Sequence, residues 1–265
     1  MATESLDLRE KYRPKTFSEI LGNKLAVRYL INSASTLRIP NGILFHGPGG
    51  TGKTSSAQVY SKALCCLNFN GDVCGQCEPC QSIEQIYPNS SVTYGIHIHD
   101  CSLIDEKALN DLIYSQLRWI RFNKIERDIH IFDQFDCIRD RSQDKFLKQL
   151  EMKNPHILFI FCLVDISSIE PLFRNRVVVW KTTRPVIEEI LPWLEHICDA
   201  EEIVIKEKEA LRHLAKDADF VPRVCLATLE KIVGLREPVT VGLLRELSED
   251  NESVNDDGTN LRIID

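Results

Sequence analysis

Apolar residues follow two alternating patterns along the first two-thirds of the chain. Short apolar runs typical of buried strands occur at 42–45, 92–98, 128–132 and 157–164. Between them, apolar residues recur every three to four positions, which predicts helices at 53–66, 105–119 and 142–151. Alternating strands and helices are typical of the α/β class with a parallel sheet.

The last third shows helical periodicity only. Helices are predicted at 186–198, 207–217 and 222–233, with Pro192 kinking the first of them. We therefore expect a sheet domain at 1–181 and a small helical domain at 182–243. The segment 244–265 is acidic and is predicted to be a disordered tail.

A glycine-rich loop lies between the first predicted strand and the first predicted helix. Its residues are Gly47, Pro48, Gly49, Gly50, Thr51, Gly52, Lys53 and Thr54. In a P-loop of this pattern, backbone N–H groups cradle phosphates, the lysine reaches the β and γ oxygens, and the threonine hydroxyl binds Mg²⁺. The sequence therefore predicts a nucleotide site.

Asp133 follows the apolar strand 128–132, where a Walker B aspartate holds Mg²⁺ through its hydration shell. The next residue is Gln134, whereas ATPases of the AAA+ type normally have glutamate there to polarise the attacking water. Loss of a positioned general base lowers the rate by about 10²–10⁴. Alternatively, Gln134 orients the water without deprotonating it, as glutamine does in some GTPases.

Composition favours a cytoplasmic protein with no membrane contact. The chain has 43% hydrophobic and 27% charged residues, as ordinary soluble proteins do. We expect no membrane helix, because the apolar stretches are short. We also expect no signal peptide, because residues 1–5 do not begin the basic segment followed by an apolar segment that a signal peptide has. A formal charge of −7 argues against sequence-independent coating of DNA.

Four of the ten cysteines are spaced as zinc ligands. Cys74, Cys77 and Cys80 are separated by two-residue gaps, and Cys66 precedes them at the end of the P-loop helix. A reducing compartment makes a disulfide framework unlikely to persist. Cys65 competes with Cys66 for the fourth position, and spacing alone does not decide between them.

The order of motifs resembles the gamma/tau subunit of the bacterial DNA polymerase III clamp loader. The motifs are 11–17 (KYRPKTF), 21–23 (LGN), the P-loop, the Cys₄ insertion at 66–80, and 146–151 (FLKQLE). The resemblance spans about residues 9–242. It implies an AAA+ module with a helical lid, within a DNA-directed DNA polymerase (nucleotidyltransferase) complex. The implied partners are delta, delta-prime and gamma/tau subunits, the sliding clamp, and primer-template DNA through the assembly.

The resemblance also implies roles for individual residues. Lys53, Thr54 and Ser55 bind ATP and its Mg²⁺, together with Asp133. Arg176 takes the position of the arginine finger, which reaches the ATP of a neighbouring subunit. Arg223 takes the position of the lid arginine that senses the γ-phosphate, and the four cysteines take the zinc positions.

Several residues depart from the family pattern. Leu163 and Val164 replace the polar threonines of the first sensor, Asn175 replaces the serine before the finger, and Phe220 replaces a small residue before Arg223. With Gln134 included, three of the departures fall on hydrolysis and none falls on phosphate binding. Because few residues follow the predicted helical domain, we expect no helical collar of the kind that holds the family's ring together.

The leading hypothesis is a clamp-loader subunit that binds ATP and zinc and hydrolyses ATP slowly, in a position such as that of delta-prime. One alternative is a fully active gamma-type ATPase. A second is a P-loop kinase or a zinc adaptor outside replication, although acceptor-binding features of a small-molecule kinase are not evident.

Overall fold

The computed structural model describes residues 7–86, 92–114, 128–138, 140–151 and 156–256. The chain divides into two compact units, one of residues 14–183 and one of residues 1–13 with 184–265. No helix in the described ranges is long and apolar enough to cross a bilayer.

Six strands and eleven α-helices occur among the described residues. The strands are β1 (Gly42–His46), β2 (Val92–Thr93), β3 (Ile96–Asp100), β4 (Asp128–Asp133), β5 (Ile157–Leu163) and β6 (Val178–Lys181). The first seven helices are α1 (Leu8–Lys11), α2 (Lys24–Thr36), α3 (Lys53–Cys65), α4 (Glu78–Ile86), α5 (Glu106–Tyr114), α6 (Asp140–Glu151) and α7 (Pro171–Arg174). The others are α8 (Ile187–Ala200), α9 (Lys208–Asp217), α10 (Pro222–Leu235) and α11 (Val241–Asp256).

The sheet has the strand order β2-β3-β4-β5-β1-β6. Five strands, β3 to β6 with β1, run parallel, and β2 is antiparallel to β3. This confirms the predicted parallel α/β class. Because β4 and β1 flank β5 and run parallel, the segments that leave their carboxyl ends emerge at one edge of the sheet.

Helices α2, α4 and α7 were not predicted from the sequence, and the strands and α5 also differ from the prediction. The predicted strand 92–98 is a hairpin, because Tyr94 and Gly95 have left-handed φ angles of 49° and 74° that reverse the chain. Strand β6 was not predicted, and its half-buried residues pair with β1 alone. Helix α5 is described to Tyr114, and the rest of the predicted helix 105–119 lies outside the described residues.

The sheet is buried on both faces between layers of helices. One face packs α2, α3 and the cysteine segment against residues such as Ile43 and Ile160. The other face packs α5 and α6 against an aromatic cluster that includes Phe132, Phe146 and Phe161. Burial of both faces explains why β5 is continuously apolar rather than alternating.

The second unit consists of α1 and α8 to α11 around one apolar core that includes Leu194, Leu214 and Leu229. Helix α8 continues through Pro192 to Ala200. Residues 7–13 belong to this unit rather than to the sheet, and Lys11 pairs with Glu201 at 2.8 Å.

The predicted disordered tail at 244–265 requires correction. Helix α11 extends to Asp256, because Leu243 and Leu244 are buried and Leu247 packs against the same core. Residues 257–265 lie outside the described part of the chain.

Candidate nucleotide site and cysteine cluster

The P-loop begins at a position that strongly favours glycine. Gly47 has a φ of 144°, and its N–H faces the carbonyls of Leu163 and Val164 at 3.3 and 3.2 Å. A Cβ atom there would lie 2.3 Å from the Thr182 carbonyl oxygen and 2.6 Å from the Thr182 hydroxyl. The loop is therefore pressed against the segment that follows β6.

Lys53 is the first residue of α3, and its ammonium group lies against the loop. Its Nζ donates to the carbonyls of Gly47 and Pro48 at 2.8 and 2.7 Å. Gly52 caps the helix with a φ of 86°. A buried cation beside a helix amino terminus is the arrangement that attracts phosphate in P-loop proteins.

Thr54 and Asp133 meet although they are distant in sequence. The Thr54 hydroxyl lies 3.0 and 2.9 Å from the two carboxylate oxygens of Asp133. A hydroxyl and a carboxylate are the oxygen ligands that Mg²⁺ prefers beside a nucleotide. Ser55, the next residue, is half-buried in the first turn of α3.

Gln134 is held next to these groups. It has a left-handed φ of 53°, and its backbone N–H donates to Asp133 Oδ1 at 3.1 Å. Its side-chain Nε2 lies 3.5 Å from Oδ1 of Asp100, which pairs with Asp133 in the β3–β4 register. The sequence had given no sign that Asp100 adjoins this position.

The first-sensor position has no polar side chain. Leu163 is buried, and Val164 is 53% exposed. The backbone N–H of Val164 donates to Asp136 Oδ1 at 3.3 Å. Only main-chain groups at this position are available for polar contact.

Asn23 supports the P-loop from behind. Its Nδ2 donates to the Thr51 carbonyl at 3.1 Å, and its Oδ1 accepts from the N–H of Thr183 at 2.9 Å. The hydroxyls of Thr51 and Thr182 are 2.7 Å apart. In the sequence, Asn23 stood out only as part of the 21–23 motif, to which no role had been assigned.

Burial and the nearby charge of Lys181 lower the pKa of His46, the last residue of β1. The imidazole beside the P-loop is therefore neutral at neutral pH. It adds no second positive charge to that of Lys53.

The two arginines of the expected ATPase apparatus belong to different units of the chain. Arg176 follows α7, donates to the Leu172 carbonyl at 2.8 Å, and forms an ion pair with Glu151. Asn175 caps α7. Arg223 is an exposed residue in the first turn of α10, in the helical unit.

The four predicted cysteines converge. The sulfur atoms of Cys66, Cys74, Cys77 and Cys80 all lie within 4.8 Å of one another. The sulfurs of Cys74 and Cys80 are 3.9 Å apart, and those of Cys66 and Cys77 are 4.0 Å apart. Tetrahedral zinc with Zn–S bonds of about 2.3 Å separates its sulfurs by about 3.8 Å, so this donor set fits zinc.

The alternative ligand, Cys65, has a different environment. Its sulfur lies 3.9 Å from the Tyr94 carbonyl and is not among the four clustered sulfurs. Within the cluster, the N–H of Gln76 lowers the pKa of the Cys74 thiol to about 6, whereas burial raises the pKa of Cys80.

Polar contacts attach the cysteine segment to the 11–17 motif. Asp72 accepts from the backbone N–H groups of Phe17 and Ser18 at 2.7 and 3.0 Å. Glu84 pairs with Lys15 at 2.7 Å and with Lys62, on α3, at 2.6 Å. Residues 15–18 and the cysteine segment, which looked independent in the sequence, are thus joined by polar contacts.

A family model described as "DNA polymerase III, delta subunit" matches residues 22–184. The DNA polymerase III subunit gamma/tau of Mycoplasma pneumoniae is 31% identical over 239 residues, which is 89% of this chain and 34% of that protein. Protein STICHEL-like 3 of Arabidopsis thaliana is 28% identical over 243 residues, which is 91% of this chain and 21% of that protein. The chain therefore spans about a third or less of the length of these relatives.

Among solved structures, a variant of RuvB from Thermotoga maritima aligns with a TM-score of 0.62 at 15% identity, covering 90% of this chain and 72% of that chain. The T. maritima RuvB Holliday junction branch migration motor aligns with a TM-score of 0.61. At this identity the likeness concerns the fold, which is that of AAA+ P-loop proteins.

Proposed function

Because the chain belongs to the DNA polymerase III delta-subunit family, we propose that it is an ATP-binding subunit of a bacterial clamp loader, acting in the cytoplasm. The observation that carries the proposal is the meeting of Thr54 with Asp133 beside Lys53. The likeness to gamma/tau subunits supports the assembly in which it would work.

In this role Lys53 neutralises the β and γ oxygens of ATP, and the backbone N–H groups of Gly47 to Gly52 surround the phosphates. Thr54 contributes its hydroxyl to Mg²⁺, and Asp133 holds the ion through bound water. Asn23 and Thr182 maintain the loop in the shape that phosphate binding requires.

Hydrolysis by this chain is slow in the proposed mechanism. An amide at Gln134 does not accept the proton of the attacking water, and Leu163 and Val164 offer no polar side chain to the γ-phosphate. The chain would then use ATP mainly as a bound ligand that fixes its shape within the ring.

Arg176 would act on the ATP of the adjacent subunit. Its ion pair with Glu151 lies at the surface, where such pairs contribute about 0–1 kcal/mol, so a neighbouring triphosphate would displace Glu151 readily. Arg223 would contact the γ-phosphate of the chain's own ATP. Cys66, Cys74, Cys77 and Cys80 would hold one structural Zn²⁺.

One observation favours the alternative of a fully active gamma-type ATPase. The Gln134 side-chain amide faces Asp100 with its nitrogen. This orientation leaves the amide oxygen available to a water molecule and places a carboxylate next to it. A relay through Asp100 would restore proton transfer without a glutamate at position 134.

The test begins with the purified chain. ATP with Mg²⁺ should raise its melting temperature, and Lys53→Ala should abolish the rise while Lys107→Ala, at an exposed position of α5, retains it. Turnover is then measured with and without the other loader subunits, clamp and primed DNA. Absence of an ATP-dependent shift in the parent would refute the nucleotide site, and failure to join any loader complex would refute the assembly role.

A further inference from the structure

Two neighbouring strands carry a second group of metal-ligating side chains. His97 on β3 pairs directly with His130 on β4, and their imidazole rings are stacked with centroids 4.4 Å apart and planes 5° apart. Asp128 lies two residues before His130 and so projects from the same face of the sheet. We call His97, Asp128 and His130 the histidine–aspartate cluster.

Two buried atoms of the cluster face each other without a hydrogen bond. His97 Nε2 lies 3.8 Å from Asp128 Oδ1, and the two side chains are 12% and 8% exposed. Neither atom has a hydrogen-bonding partner within the described part of the chain. A buried polar atom left without a hydrogen bond destabilises the folded state. A ligand that binds an imidazole nitrogen and a carboxylate oxygen together would satisfy both atoms.

The distances suit a small cation. One ligand atom from each residue of the cluster lies within 4.8 Å of the others. Tetrahedral zinc with bonds of about 2.1 Å separates its ligand atoms by about 3.4 Å, so side-chain rotations that close the gaps by an ångström or so suffice. Two imidazoles with one carboxylate match zinc and its neighbours rather than Mg²⁺ or Ca²⁺, which prefer oxygen ligands.

An outer partner is also present. His99 Nε2 lies 3.0 Å from His130 Nδ1. A histidine that binds a metal through one ring nitrogen usually donates the N–H of the other to a nearby acceptor, which fixes the ring. His99 packs against Phe132 at 4.7 Å, so the surroundings are aromatic.

We propose that His97, Asp128 and His130 form a Zn²⁺-class metal site separate from both sites described above. Asp128 begins β4 and Asp133 ends it, so at about 3.3 Å per residue the two carboxylates are about 17 Å apart along the strand. The bound ion joins the amino-terminal halves of β3 and β4 and takes no part in phosphate chemistry.

The experiment counts zinc on the whole chain. Metal-free protein is titrated with Zn²⁺, and the ions retained after gel filtration are measured. The parent should retain two equivalents of zinc, one of them at the cysteine cluster. The His97→Gln and Asp128→Asn variants should each retain one equivalent. His213→Gln, at an exposed position of α9, is the matched control and should retain two.

Cobalt distinguishes the two kinds of site. One equivalent of Co²⁺ should produce a thiolate-to-metal charge-transfer band, and the other should bind without increasing it. The proposal is overturned if the parent retains only one equivalent of zinc. It is also overturned if the His97→Gln variant and the Asp128→Asn variant both retain as much zinc as the parent. The ATP-dependent melting shift should persist in His97→Gln, so failure of this site is separable from failure of the nucleotide site.

Discussion

The Thr54 hydroxyl lies within hydrogen-bonding distance of both carboxylate oxygens of Asp133, at 3.0 and 2.9 Å. Asp133 ends β4, Thr54 lies in α3 after the loop that leaves β1, and β5 lies between β4 and β1. The sheet order alone brings these groups together, because parallel strands present their carboxyl ends at one edge. Thr54 and Asp133 would both hold the Mg²⁺ of a bound ATP, so binding of the ion would replace the contact between these two groups.

The fit of Gly47 against Thr182 predicts a strong effect of adding one methyl group. Gly47→Ala should lower the free energy of unfolding by about 1–3 kcal/mol, because the new Cβ meets a backbone oxygen at 2.3 Å. Gly49→Ala is the matched control, since no atom lies within 4 Å of its added Cβ. Urea unfolding measures both, and equal stabilities would contradict the packing described for Gly47.

Restoring a base should accelerate hydrolysis. Gln134→Glu is expected to raise kcat by about tenfold or more, because a carboxylate accepts the proton that an amide does not. Asp100 stands close to that position, so its charge opposes a second carboxylate.

The double variant Gln134→Glu with Asp100→Asn should therefore gain more than Gln134→Glu alone. Asp100→Asn in the parent should give no gain. A parent that already turns over as fast as ordinary clamp-loader ATPases, and does not gain from Gln134→Glu, would favour the fully active alternative.

Loss of one clustered thiol should cost one zinc ion. Cys77→Ser is expected to lower the zinc content by one equivalent and to lower the melting temperature, because a structural site needs all four thiolates. Cys65→Ser removes the adjacent thiol that lies against the Tyr94 carbonyl and should leave the zinc content unchanged. Elemental analysis of freshly purified protein measures the zinc content. A Cys77→Ser variant with as much zinc as the parent would count against Cys77 as a zinc ligand.

Arg176 and Glu151 allow a finger to be distinguished from a surface ion pair. Arg176→Ala should leave ATP binding by the isolated chain intact and lower ATPase activity of the reconstituted loader, by about 10³-fold at a site wholly dependent on it. Glu151→Gln breaks the same ion pair but keeps the arginine, so its assembly should remain active. If both variants behave like the parent in the loader, Arg176 has no role in trans.

The sequence was sufficient to predict contacts between residues that are close to one another in the chain. The local spacing of the four cysteines predicted that their sulfurs converge, and the strand before Asp133 placed its carboxylate at the edge of the sheet where Thr54 lies. Asn23, Asp100 and Glu151 were not recognised as neighbours of Thr51, Gln134 and Arg176, because each contact joins distant segments. The histidine–aspartate cluster escaped notice for the same reason, since strand register, not spacing, aligns His97 with His130.

Helix α3 has Lys53 at its first residue and Cys66 immediately after its last. At about 1.5 Å per residue this thirteen-residue helix is about 20 Å long, and Glu84 of the cysteine segment pairs with Lys62 on it. Lys53 and Cys66 thus sit at opposite ends of one helix. If zinc orders this helix, then zinc and ATP are thermodynamically linked ligands. Zinc binding would change the affinity for ATP by some factor, and ATP binding would change the affinity for zinc by the same factor.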